Sequence, residues 1–117
     1  MNRLLKKLKG HVIIAGYGST GGATVNELVL KGYHEDRLIA IDKKEANVKE
    51  AAEAGATGIL GDSTSEDVLT RAGINGAAVI IITTPHDDTN VLIALTAKDL
   101  NPKIKIISRV RQHENIK

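Results

Sequence analysis

The chain has 117 residues, 42% of them apolar, with neither Phe nor Trp, and its 16 basic and 14 acidic residues leave a net charge of +2. That length suits one domain burying about two-thirds of its unfolded surface, with a core of Ile, Val, Leu and Ala. The charge is too small and too dispersed for nucleic-acid binding, and the absence of cysteine excludes disulfides and thiolate chemistry.

The start, "MNRLLKKLKG", mixes basic residues with leucines and lacks the long apolar stretch of a secretory signal. Residues 1–10 read as a linker docked on the domain or on an upstream segment, with Leu4, Leu5 and Leu8 on one face if the segment is helical. The longest apolar run, "AAVIII" at 77–82, falls far short of the roughly 20 residues of a membrane helix. A cytoplasmic location is expected.

From residue 11 to 117 the chain reads as one lobe. Apolar runs recur at "HVIIA" (11–15), "RLIAID" (37–42), "TGIL" (57–60), "AAVIIITT" (77–84) and "KIKIISRV" (103–110). Most are unbroken and β-branched, as in strands of a parallel sheet covered on both faces. The last alternates more and belongs nearer an edge.

Helical spacing fills the intervals. Val25, Leu28 and Val29 mark the first helix, which ends at Gly32. "KEANVKEAAEAG" is the second. The third opens with the capping and acidic run "STSED" and stops near Gly73. The fourth runs from about Asp87 to Leu100, with Val91, Leu92 and Leu95 as its apolar positions. "RQHENIK" looks like the start of a further helix. Strict alternation predicts an α/β fold, a Rossmann-type doubly wound parallel sheet of order 3-2-1-4-5 with helices on both faces.

Gly16, Gly18 and Gly21 form a G-x-G-x-x-G pattern between a strand and a helix. In a dinucleotide site the first permits a tight turn, the second lets a pyrophosphate approach the backbone, and the third lets the helix pack closely. Glycine-rich turns also occur without a ligand, so the pattern alone leaves both readings open. Asp42 adds weight: it ends the second strand 21 positions after Gly21, where an acid accepts both ribose hydroxyls and disfavours a 2′-phosphate. Its other reading is a cap for the next helix. Lys43 is carried as a bordering candidate, although Lys43 and Lys44 read more simply as a solvated face.

The third and fourth strands end in "GDST" (61–64) and "TTPHDD" (83–88). With the crevice where strands 1 and 4 part, Thr83, Thr84 and Pro85 border the glycine loop, and Asp62 and Ser63 lie where an adenine or its ribose would rest. Alternatively, Asp62 to Ser65 only cap a helix. No serine stands in a triad context and the four histidines lack metal-ligand spacing, so neither a catalytic residue nor a metal ligand is expected. His11, which begins a strand, His34, His86 and His113 each read as surface or loop residues. His86 with Asp87 and Asp88 reads as a helix start and not as a metal site.

The segments "HVIIAGYGSTG", "AIDKKEANV", "GDSTSEDVLTRAGI", "AAVIIITTPHDDTNVLIALTAKDLNP" and "KIKIISRVRQHENI" together resemble the N-terminal nucleotide-binding lobe of domains that regulate conductance of potassium, the RCK or TrkA-N domains. The resemblance runs from about Leu8 to Ile116. It implies a cytoplasmic module at the inner face of the membrane, partnered with a potassium channel or transporter and assembled as a homo-oligomeric dimer or ring. It also implies an adenine nucleotide: Gly16, Tyr17, Gly18, Ser19, Thr20 and Gly21 facing its phosphates, Asp42 its ribose, and Asp62 and Ser63 its adenosine.

Two departures narrow that expectation. Many nucleotide-binding members carry Arg where this chain has Ser19, which favours NAD(H), AMP or ADP over ATP. The calcium-gated branch uses carboxylates at positions that match Thr83, Arg109 and Arg111, and arginines repel a dication. Arg109 is instead a candidate for an anionic phosphate or an intersubunit ion pair. The family's clasping helix and second lobe have no counterpart in this sequence, so weaker assembly is expected. The expected function is regulation of potassium transport by ligand-dependent conformational change, with no enzymatic activity. The alternatives are the NAD-binding fragment of a dehydrogenase and a ligand-free assembly scaffold.

Overall fold

A computed structural model describes residues 8–108. Leu4, Leu5, Arg109 and the end of the fifth apolar run therefore lie outside the described residues. In chain order the elements are β1 (Val12–Ala15), α1 (Gly18–Leu30), a single 3₁₀ turn (Glu35–Arg37), β2 (Leu38–Asp42), α2 (Glu45–Glu53), β3 (Thr57–Leu60), α3 (Glu66–Arg71), β4 (Val79–Ile82), α4 (Asp87–Leu100) and β5 (Lys105–Ser108). The five strands form one parallel sheet ordered β3-β2-β1-β4-β5, which is the order expected from the alternation of elements. The ladder sets Ala15 beside Ile41 on one side and Ile82 on the other, so β1, β2 and β4 finish level.

Alternate side chains of β1, β2 and β4 enter two apolar layers. Ile13, Ala15, Ile39, Ile41, Ile80 and Ile82 pack with Leu69, Ile93 and Ala97 beneath α3 and α4. Val12, Ile14, Leu38 and Ala40 pack with Val25 and Ala51 beneath α1 and α2. Coverage of both faces is why these strands read as unbroken apolar runs. β5, at the edge, is more polar: Lys105, Ile107 and Ser108 are exposed.

The structure corrects the reading of α4. Val91, Leu92 and Leu95 are 59%, 52% and 64% exposed, whereas Asn90, Ile93 and Ala97 are buried. The 90-93-97 set also has helical spacing, and the small Ala97 permits a close approach to the sheet.

His11 is a second correction. It is fully buried rather than superficial, and its Nε2 lies 2.9 Å from the Ala72 carbonyl. Nearby, the Gly10 N–H donates to Gly76 O at 2.7 Å and the Arg37 guanidinium donates to Lys9 O. The segment leading into β1 is thus fastened at the sheet end opposite the glycine loop.

Candidate functional site

Because β1, β2 and β4 end level, the turns that follow them converge. They enclose a cleft of about 310 Å³ lined by Gly16, Tyr17 and Gly18 after β1, Asp42, Lys43, Lys44 and Asn47 after β2, Gly61, Asp62 and Ser63 after β3, and Thr83 to His86 after β4. That volume lies at the lower end of the range for small-molecule pockets. In open parallel sheets, ligands occupy this position because diverging connections leave a crevice beyond the strand ends.

The glycine turn owes its shape to two close approaches. Gly16 has φ of +95°, and a Cβ there would stand 3.0 Å from Thr84 Cγ2 and 3.2 Å from Thr84 N. A Cβ on Gly21 would stand 2.5 Å from the Gly16 carbonyl oxygen, so only glycine lets α1 settle on the loop. The Thr83 hydroxyl donates to that same carbonyl, and Gly16 N–H donates to Ile41 O at 2.8 Å. The loop is held from β2, β4 and its own helix.

α1 starts without a side-chain cap and without an acid in its first turn. The other described helices carry their own acids there: Glu45 in α2, Glu66 and Asp67 in α3, Asp87 and Asp88 in α4. α1 takes its acid from β2 instead: Asp42 Oδ2 accepts the N–H of the α1 N-cap, Tyr17.

Asp42 stands at the centre. Its Oδ2 accepts from Tyr17 N–H at 2.8 Å and its Oδ1 from Lys44 N–H at 2.9 Å. Burial pushes its carboxyl up, but the Lys44 and Tyr17 N–H groups, the Asn47 side chain and the Lys44 charge together hold it below the usual carboxylate value. The carboxylate is ionised at neutral pH, and each oxygen retains acceptor capacity for hydroxyl groups. Asp62 is held low by the backbone N–H and hydroxyl of Thr64, both bonded to its Oδ1 at 2.9 and 2.8 Å. The cap of α3 is Ser65, which accepts from Val68 N–H.

The structure thus brings Gly16, Tyr17, Gly18, Asp42, Lys43, Asp62, Ser63, Thr83, Thr84 and Pro85 to one cleft. Ser19 and Thr20 line a separate open groove along α1 with Ala23, Thr24, Glu27 and Leu28. Gly21 is buried against the loop. The Tyr17 backbone borders the crevice, but its ring is buried beside Gly22 in the α1–α2 layer. Residues that the sequence did not offer as nucleotide contacts also line the cleft: Lys44, Asn47, Gly61, His86 and Thr89, with Ile41 and Ile93. Asn47 had a legible signal, since a first-turn side chain of a helix starting just beyond a strand-ending acid faces back toward it. Among the described residues no group of three His, Asp or Glu side chains could hold a metal, and no helix is long and apolar enough to cross a membrane.

The residues present suit an adenine nucleotide: a Cβ on Gly18 would meet nothing within 4 Å, leaving the backbone approachable, and Asp42 and Asp62 line the same cleft. Comparison with known proteins agrees with that geometry. The chain is 36% identical to potassium channel protein 1 of Methanocaldococcus jannaschii over 110 residues, 92% of this chain and 32% of that protein. It thus spans about a third of the length of that relative. Among solved structures, the TrkA-N domain of the inner membrane protein ybaL from Escherichia coli superposes with a TM-score of 0.81 at 26% identity, over 91% of this chain and 76% of that one. The AMP-bound Kef CTD of Shewanella denitrificans gives a TM-score of 0.74 at 28% identity, over 88% and 60% respectively. The family model of the TrkA-N domain matches residues 12–117, and the chain belongs to the TrkA-N domain family.

Proposed function

We propose that this chain is a regulatory nucleotide-binding lobe that gates a potassium channel or potassium uptake system. It takes NAD(H), AMP or ADP in preference to ATP, acts by binding and not by turnover, and works as a homo-oligomer inside the cell beside its membrane partner. The observation that carries the reading is the Asp42 carboxylate, bonded to Tyr17 N–H at 2.8 Å, on one cleft with the uncapped start of α1 and with Asp62. In this reading the phosphate lies against the glycine turn and the start of α1, Asp42 accepts the ribose hydroxyls, and Asp62 and Ser63 border the adenosine. Lys43, on the cleft wall, adds positive charge near the anion. The similarity to a potassium channel protein and to an AMP-bound domain supports both halves of the proposal.

Gating follows from differential affinity, since a ligand shifts two assemblies only by its preference between them, typically ~1–3 kcal/mol. Calorimetric titration with AMP, ADP, ATP, NAD, NADH and NADP tests the ligand half. Binding of AMP or NAD is expected, with NADP weaker by at least roughly tenfold because its 2′-phosphate meets Asp42. Absence of heat and of thermal stabilisation with all six overturns the reading.

A further inference from the structure

Among the described residues three polar side chains are buried: His11, Ser63 and Asn90. Asn90, 3% exposed in the first full turn of α4, is not a helix cap; the N-cap is His86, and Asn90 N–H makes the ordinary helical bond to His86 O. An apolar residue would serve the core there, as Ile93 does one turn later. Burying an amide is unfavourable unless its hydrogen bonds are specific.

Those bonds go to a single residue. Asn90 Nδ2 donates to Thr84 O at 3.0 Å, and Asn90 Oδ1 accepts from the Thr84 hydroxyl, which itself accepts from His86 N–H at 3.3 Å. One side chain grips both the backbone and the hydroxyl of Thr84. On its other side Thr84 lies beside Gly16 and leaves no room for a side chain there: a Cβ would stand 3.0 Å from its methyl and 3.2 Å from its N. A continuous contact therefore runs from α4 through Asn90 and Thr84 to the first glycine of the loop.

We propose that Asn90 is a positioning residue for the nucleotide crevice: through Thr84 it fixes the wall on which Gly16 turns, and so sets where the glycine turn and the start of α1 meet the phosphate. The proposal rests on the reading of that cleft as a nucleotide site. Asn90 touches no ligand; it acts on binding through geometry.

The test uses the full chain with Asn90→Ala, Thr84→Val, the double variant, and Ile74→Val as a core control. Two readouts are taken: affinity for AMP and NAD by calorimetry, and amide exchange of Gly16 and Thr83 in the free protein, whose N–H groups bond Ile41 O and Ala15 O. Asn90→Ala and Thr84→Val are each expected to weaken binding by roughly tenfold and to speed exchange at both amides, with the double variant little worse than either single one, since the two groups form one interaction. Ile74→Val is expected to lower the unfolding midpoint while leaving affinity and loop exchange within about twofold. Unchanged affinity and unchanged exchange in both Asn90→Ala and Thr84→Val overturn the proposal. If the wild type binds none of the nucleotides, the functional reading fails, and the exchange data still decide whether Asn90 fixes Gly16. If Asn90→Ala does not fold, Thr84→Val carries the test, because it keeps the methyl on Gly16 and removes only the hydroxyl.

Discussion

Asp42 Oδ2 accepts the Tyr17 N–H at 2.8 Å, so the acid that ends β2 is fastened to the residue that starts the glycine loop after β1. Two strands far apart in sequence are joined by an ionised group, and the site inherits that group's pH dependence. The folded protein holds this carboxyl below its usual value. Its stabilising contribution is therefore complete above the unfolded value of about 3.9 and is lost as the pH falls through the folded one. Urea midpoints of the wild type are expected to fall between about pH 5 and pH 3. Asp42→Asn should begin lower at pH 7 and lose less over that interval; parallel slopes for the two proteins would count against the assignment.

Gly21 and Gly22, adjacent near the start of α1, should respond in opposite ways. Gly21→Ala drives a methyl to 2.5 Å from the Gly16 carbonyl, a backbone atom held by Thr83. It is expected to cost ~1–3 kcal/mol as an overpacking change and to displace the loop. At Gly22 the nearest atom to a new Cβ is the Tyr17 hydroxyl at 3.6 Å, an ordinary contact. Gly22→Ala should therefore be neutral or stabilise by up to about 1 kcal/mol through helix propensity. Denaturant midpoints of the pair measure the difference.

His11 makes stability fall at mildly acidic pH. Burial depresses its pKa, the Ala72 bond opposes this, and the Arg37 charge adds to the depression. The folded state favours the neutral ring, so its contribution is intact above the unfolded value near 6.5 and declines as the pH drops toward the folded one. Thermal midpoints should decrease from about pH 7 to pH 5 in the wild type and less steeply in His11→Gln, which keeps a donor for Ala72 O. An identical slope in the variant would place the sensitivity elsewhere.

On α4 adjacent residues should differ sharply. Leu92→Gln and Leu95→Gln alter exposed side chains, and each is expected to change stability by less than about 0.5 kcal/mol. Ile93→Ala removes a buried side chain from the α3–α4 layer and should cost roughly 2–5 kcal/mol. Thermal unfolding of the three variants separates the two faces of the helix.

The order of the sheet was readable before any coordinates. β-branched runs at 11–15 and 37–42 could serve only strands covered on both faces, and strict alternation with short connections leaves few topologies. The glycine turn, Asp42 and "GDST" were readable for the same reason: each lies at the end of a strand, and the order of strands dictates which ends meet. The rotation of α4 was not readable, because the 91-92-95 and 90-93-97 sets both have helical spacing. Contact with the sheet, together with the Asn90–Thr84 bonds, chose between them.

The sequence by itself therefore determined strand and helix order, the tight turn at the first glycine, and an acid at the end of β2. The tertiary structure alone decided what depends on distances between remote residues. It buried His11 against Ala72, placed Thr84 on Gly16, and gave Asp42 two N–H partners from different turns. Hydrophobic periodicity records only whether a residue faces inward, whereas a hydrogen bond or a close packing contact also needs a partner within a few ångströms, and that partner is set by the fold.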